Sequence, residues 1–205
     1  MKIGLFGGAF DPVHNAHLFI ADAIRDRESL DRIVFLPLRS AHHRQPPRAS
    51  IEDRASMLRL AIAANPAFAL DLLDTDDEAT GYTADLVPRL RERYPGDELY
   101  FIAGSDSLVR SRWRRFDEIL SVLDLFLVAP RNDLDSADLD AALGDLPPAL
   151  RAKVRFVDVP QMTESATTVR DRLEAGESVR YLVPEPVWRY MLEHKLYRHA
   201  RVGST

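Results

Sequence analysis

The stretch Ile3-Gly4-Leu5-Phe6-Gly7-Gly8-Ala9-Phe10-Asp11-Pro12-Val13-His14-Asn15-Ala16-His17 decides how the rest of the chain is read. Ile3–Phe6 is a short apolar run closed by a pair of glycines, the pattern of a buried strand that ends in a turn. Asp11 and Pro12 then fit the N-cap and first position of a helix, which the periodicity carries to about Arg27. Glycines at a strand end let backbone amides approach an anion with no Cβ in the way. The helix behind them turns its positive N-terminus toward the same spot. His14 and His17 are three positions apart, so both rings fall on one face in the first turns of that helix. Together they make a donor set for a phosphoryl group. A zinc pair is the competing reading, but H-E-x-x-H is absent and no ligating carboxylate adjoins.

Outward from this stretch, strand and helix patterns alternate. Further strands are expected at Ile33–Pro37, Phe68–Leu72, Leu99–Ala103, Leu125–Val128 and Val154–Val157. Ser50 caps a second helix with Asp53 at N3, Ala55, Leu58 and Ile62 down one face, and Pro66 beyond its end. Other helices start near Thr83, Ser105 and Ser136, and at Ser165. Pro88 requires the Thr83 helix to start late or to bend. Strands separated by helices of this length give an α/β fold, a Rossmann-like doubly wound parallel sheet with a small helical C-terminal portion. Ligands in such sheets bind beyond the carboxyl ends of the strands. The expected organisation is a single domain over 1–198, with 165–198 as its helical C-terminal part and 199–205 as a tail. Asp74-Thr75-Asp76-Asp77-Glu78 reads as a solvated loop.

Composition removes several classes. With 205 residues and no cysteine, the chain is long enough to bury a core without disulfides, and it has no thiol nucleophile and no thiolate metal site. A net charge of −5 gives no reason to expect a nucleic-acid polymer as partner. No apolar run approaches the roughly 20 residues of a membrane span, and no signal peptide opens the chain, so a cytoplasmic location away from membranes is expected. Only Lys2, Lys153 and Lys195 of the 27 basic residues are lysines, a skew that carries no functional reading.

A second constellation lies near the other end. Ser165-Ala166-Thr167-Thr168-Val169-Arg170 places a capping hydroxyl, a second hydroxyl and a guanidinium at one helix N-terminus, ahead of a C-terminal Gly176. Such a terminus suits phosphate oxygens.

The residues from Gly7 to His17 resemble the G-G-x-F-D-P-x-H-x-G-H signature of the nucleotidyltransferase superfamily, most closely that of bacterial nicotinate-nucleotide adenylyltransferases. Ser165–Arg170 is similar to the S-S-T-x-I-R motif of that family. Gly104-Ser105-Asp106-Ser107 resembles its G-x-D-S, Gly81-Tyr82-Thr83 its S-Y-T loop, and Ala41-His42-His43-Arg44 its P-P-H-K/R loop with both prolines lost. Leu182–Val187 and Leu196-Tyr197-Arg198 match its C-terminal ending, read as packing. The chain departs from the family at Ala9, at Ala16, whose methyl is expected near the nucleotide, and at Pro130-Arg131-Asn132, where the family has R-P-G.

The resemblance implies adenylyl transfer from ATP to nicotinate mononucleotide, giving nicotinate adenine dinucleotide and pyrophosphate by direct in-line attack. His14, His17 and Arg170 would be catalytic. ATP would contact these three together with Gly7, Gly8, Phe10, Gly104, Asp106, Ser165 and Thr167. Ala9, His43, Arg44, Tyr82, Thr83, Trp113 and Arg114 would receive nicotinate mononucleotide; Arg110, Arg112 and Arg115 are read mainly as a solvated face. Mg²⁺ would arrive on the ATP phosphates with no protein metal site. Nicotinamide mononucleotide, phosphopantetheine, or an alcohol phosphate with CTP are alternative substrates. A non-catalytic adenine-nucleotide sensor and a histidine metal-binding protein are readings of other classes. The pattern does not fix an oligomeric state.

Overall fold

The computed structural model describes residues 1–39, 46–110, 113–129, 141–144, 146–160 and 162–198. Six strands, β1 (Lys2–Gly8), β2 (Arg32–Pro37), β3 (Phe68–Leu70), β4 (Glu98–Gly104), β5 (Leu125–Ala129) and β6 (Val154–Phe156), form a single sheet. Its order is β3-β2-β1-β4-β5-β6, and every pairing is parallel. All six expected strands are present, each differing at one or both ends by a residue or two. The order reverses between β1 and β4, so the crevice beyond their carboxyl ends is the switch point where this topology binds ligands.

The central strands are apolar on both faces because both faces are covered. Phe6, Ile33, Phe35, Ile102 and Leu127 point into one core with α1 (Asn15–Arg27), α2 (Ile51–Ile62) and the two C-terminal helices. Leu5, Val34, Leu36, Phe101 and Val128 point into the other, against α3 (Thr83–Arg93) and α5 (Phe116–Val122). Two further short helices are α4 (Ser105–Arg110) and α6 (Pro148–Arg151). Then come α7 (Ala166–Glu174) and α8 (Glu185–Glu193). Ser50 caps α2 by accepting from the Asp53 amide at 3.0 Å. Gly176, at φ +76, ends α7: its amide reaches Leu173 O at 3.1 Å, and the Glu177 amide reaches Arg172 O at 2.8 Å.

Two expectations are corrected, and the alternatives at Pro88 are narrowed to one. α1 starts at Asn15 with His14 as its N-cap, not at Asp11-Pro12. Asp11 is drawn away because its carboxylate accepts from distant backbone amides, and Asn15 N is fixed by Leu182 O at 2.9 Å. α3 does start at Thr83 and carries Pro88 in its interior, one hydrogen bond short. The acidic run is not wholly a solvated loop. Leu73–Thr75 is a 3₁₀ turn, and Asp74 is 2% exposed and accepts from Arg39 N at 3.1 Å. Burial pushes the Asp74 carboxyl up to about 6, while Asp76 is held below its usual range by a hydrogen bond from Arg89.

No helix among the described residues is long and apolar enough to cross a membrane. The expected Ser136 helix and residues 199–205 lie outside the described residues.

Candidate active site

At the end of β1 the glycines answer first to packing. A Cβ on Gly7 would stand 3.0 Å from the Phe101 ring, and one on Gly8 would stand 3.0 Å from Phe10. Phe10, itself at φ +48, is buried edge-on against Phe6 with ring centroids 5.7 Å apart. The side-chain-free strand end is therefore needed on the protein side, to seat the aromatic ring that turns the loop.

Asp11 is the hub of that loop. Only 5% exposed, its carboxylate accepts from Arg48 N at 2.8 Å, Ala49 N at 3.0 Å and the Tyr197 hydroxyl at 2.8 Å. Burial beside this carboxylate pushes the Tyr197 phenol far up, so Tyr197 is a donor at any ordinary pH. Arg170 Nη1 donates to Asp11 O at 2.7 Å and lies 3.7 Å from Oδ2.

His14, 1% exposed, caps α1, and His17 occupies N3 of the same helix. Their rings lie 3.7 Å apart, tilted by 32°. His14 N–H donates to His17 Nδ1 at 3.3 Å. An accepting Nδ1 places the proton of neutral His17 on Nε2, making that atom a donor. The His17 ring is held edge-on to Phe10 at 5.0 Å between centroids.

At the start of α7, Ser165 Oγ accepts from Thr168 N at 3.0 Å, and Thr167 Oγ1 accepts from Arg170 Nη2 at 3.1 Å. The Ser165 hydroxyl is thus used in capping, while the amides of Ala166 and Thr167 have no intrahelical acceptor. Arg170, its side chain 18% exposed and tied to Thr167 and Asp11, joins the second motif to the first.

The opposite wall is built on the other side of the sheet. Tyr82 caps α3, Thr80 Oγ1 donates to Asp85 at 2.6 Å, and the Arg114 guanidinium lies 5.0 Å over the Tyr82 ring. Trp113 Nε1 donates to Ser107 O at 3.0 Å, and its ring packs on Phe101, Phe116 and Phe126. Arg115 is paired with Asp85 and Glu118.

One cleft of about 500 Å³ gathers these walls. Gly7, Gly8, Ala9, Phe10, His14 and His17 line it from the first motif, and Ser165, Thr167 and Arg170 from the second. Gly104 and Asp106 stand at the end of β4, with Tyr82, Thr83, Trp113 and Arg114 across from them. His43 and Arg44, like Ala41, His42, Arg112 and Pro130-Arg131-Asn132, lie outside the described residues. Ala16 corrects an expectation: it is fully buried and does not line the cleft, so its methyl faces the core and not a ligand.

Three residues escaped the sequence reading. Asp11 reads as a helix cap in the sequence. Tyr197 reads as packing. Arg54, 2% exposed, donates from Nη1 to Ala9 O at 2.6 Å and to Leu38 O at 2.9 Å. Burial lowers its pKa and nearby Asp11 offsets this. The signal was present, since Arg54 precedes Leu58 by four positions on the apolar face of α2. Among the described residues, no group of three or more His, Asp or Glu is arranged to hold a metal. Asp11, a buried carboxylate lining the cleft, accepts three hydrogen bonds and lies 3.7 Å from the Arg170 guanidinium.

A 3-2-1-4-5-6 parallel sheet with phosphate-directed motifs at its switch point defines a nucleotide-binding transferase architecture, and the chain belongs to the cytidylyltransferase-like family, whose model matches residues 5–172. Relatives covering nearly all of it are bacterial nicotinate-nucleotide adenylyltransferases. It is 34% identical over 207 residues to the nicotinate-nucleotide adenylyltransferase of Bacillus subtilis, covering 96% of this chain and 98% of the relative. It is 38% identical over 199 residues to the probable nicotinate-nucleotide adenylyltransferase of Symbiobacterium thermophilum, covering 96% and 95%. The fold is similar to that of Plasmodium falciparum nicotinic acid mononucleotide adenylyltransferase complexed with NaAD, with a TM-score of 0.76 at 20% identity over 96% of this chain and 97% of that one.

Proposed function

We propose that the protein is a nicotinate-nucleotide adenylyltransferase, joining ATP and nicotinate mononucleotide to give nicotinate adenine dinucleotide and pyrophosphate in NAD biosynthesis. The observation that carries this reading is convergence. Donors from two motifs at opposite ends of the chain, His14 and His17 on α1 and Arg170 on α7, line one cleft opposite an aromatic wall at Tyr82 and Trp113.

In the proposed reaction the 5′-phosphate of the mononucleotide attacks the α-phosphorus of ATP in line. A P–O bond forms there, the bond to the bridging oxygen breaks, and pyrophosphate leaves with the electron pair. The attacking phosphate is already an anion, so no general base is required. Catalysis then rests on orientation, which can supply on the order of 7–11 kcal/mol, and on fixed donors where charge develops. His17 Nε2–H is assigned to the α-phosphate, and buried His14 stacks beside it on the α- or β-phosphate. The Ala166 and Thr167 amides and the remaining donors of Arg170 hold the leaving pyrophosphate. Asp106, at the first turn of α4, would accept the ribose hydroxyls of ATP. Tyr82, Thr83, Trp113 and Arg114 would receive the pyridine nucleotide. Mg²⁺, a hard cation that takes oxygen ligands, would be supplied with ATP and would neutralise phosphate charge there, with none of these side chains assigned to hold it.

The test is pyrophosphate release from purified protein with MgATP and, separately, nicotinate mononucleotide, nicotinamide mononucleotide or phosphopantetheine. Fast release with the nicotinate compound and slow release with the others is expected. Equal rates with the amide would remove the carboxylate selectivity. No release with any of them, while ATP binds, would replace the enzyme by a nucleotide sensor.

A further inference from the structure

The segment between Leu38 and Ala49 is fastened at both ends to the first phosphate motif. At its entry Leu38 N donates to Gly8 O at 3.0 Å, and at its exit the Arg48 and Ala49 amides donate to Asp11. Between these two ties sits Arg54. Its Nη1 bridges Ala9 O of the motif and Leu38 O of the segment, with no solvent around it and without lining the cleft itself. The helix that carries Arg54 is fixed in turn. Ser50 caps α2, and the Tyr190 hydroxyl on α8 donates to Asp53 at 2.9 Å.

A buried guanidinium is an expensive way to fill space, and Nε of Arg54 is buried with no partner among the described residues. Leu58, one turn further along the same face, shows that this core accepts an apolar side chain. What an apolar residue cannot do is hold two carbonyl oxygens from two different loops at one point.

We propose that Arg54 is a positioning residue for the transfer, setting the register between the Gly7–His17 motif, at Ala9, and the chain leaving β2, at Leu38, both of which line the cleft. This rests on the adenylyltransferase reading above. Arg54 touches neither substrate. It acts through Ala9 and Leu38, so that the attacking phosphate and the α-phosphorus meet in line. The ATP side keeps its own ties without it, through Asp11, Tyr197 and Arg170.

The experiment compares full-length parent, Arg54→Met and Arg54→Lys, each checked for folding by thermal unfolding. MgATP affinity is measured by equilibrium titration and turnover with nicotinate mononucleotide by pyrophosphate release. Misplacement of about an ångström can lower turnover on the order of a hundredfold, and that is the loss expected for Arg54→Met. The acceptor KM should rise and the MgATP Kd should stay at the parent value. Arg54→Lys, whose ammonium has enough donors for both carbonyls, should restore most of the turnover. Folded Arg54→Met with parental turnover would overturn the proposal, and so would a loss of MgATP affinity as large as the loss of turnover. If Arg54→Met does not fold, Arg54→Gln takes its place: turnover in the order parent, Lys, Gln supports the proposal, and equal turnover in all three overturns it. A parent inactive with nicotinate mononucleotide would sink the adenylyltransferase reading instead, whereas an active parent with indifferent variants sinks only the role of Arg54.

Discussion

The two walls of the cleft are made differently. The phosphate wall is sunk into the core: Asp11, His14 and Phe10 are buried, and their ties come from the segment after β2, from α7 and from Tyr197. The acceptor wall stands on the surface. Tyr82, Thr83 and Trp113 are only half-buried, and Arg114 is exposed and held by stacking over the Tyr82 ring. The difference follows from what each wall must do. Donors that meet developing charge gain most when held rigid and dry, because reorganisation then costs nothing at the moment of reaction. A wall that only recognises a ring needs shape and a few polar atoms.

The comparison can be broken first at His17. His17→Ala should lower kcat by about 10²–10³-fold, with MgATP affinity nearly unchanged, because the donor acts on charge that forms in the transition state. Folded variant with parental kcat would remove His17 from the chemistry. Trp113→Leu probes the other wall. Ring stacking contributes about 1–3 kcal/mol, so the KM for nicotinate mononucleotide should rise roughly tenfold while kcat changes less. A kcat loss as deep as that of His17→Ala would erase the distinction between the walls.

The smallest effect is on stability. Asp74 fastens Arg39 N, two residues beyond the end of β2. Its folded pKa, raised by burial from 3.8 to about 6, means that the native state retains a proton that the unfolded chain gives up earlier. Stability from this group is therefore fully present below 3.8 and is lost as pH rises through about 6. Asp74→Asn, neutral throughout, should gain in unfolding temperature relative to the parent across that window. Parallel profiles for the two proteins would show that Asp74 does not titrate there.

Much of the sheet was legible because short apolar runs bounded by glycine, proline and charge have few other readings. His14, His17, Ser165, Thr167 and Arg170 were legible because their types and spacing suit phosphate chemistry, Asp106, Tyr82, Thr83, Trp113 and Arg114 through the resemblance alone, and all of these line the cleft. What failed was local capping logic. Asp11-Pro12 has the chemistry of a helix start, yet its partners are residues 48, 49 and 197, and nothing within a few positions announces them. Asp74 was hidden in the same way, by the acidic neighbours that made the run look solvated. Arg54 could have been found from its place on an apolar helix face, where a charge needs a reason.

The central claim is that the histidines serve as donors and that no adenylyl group is ever carried by the protein. His17 Nδ1 accepts the His14 amide, which puts the proton on Nε2 and leaves no lone pair there for attack. The most direct measurement is the configuration at the α-phosphorus of the dinucleotide made from one stereoisomer of ATP carrying sulfur at that phosphorus. A single in-line displacement predicts inversion. Retention would mean two displacements through a covalent histidine intermediate, and would contradict the account.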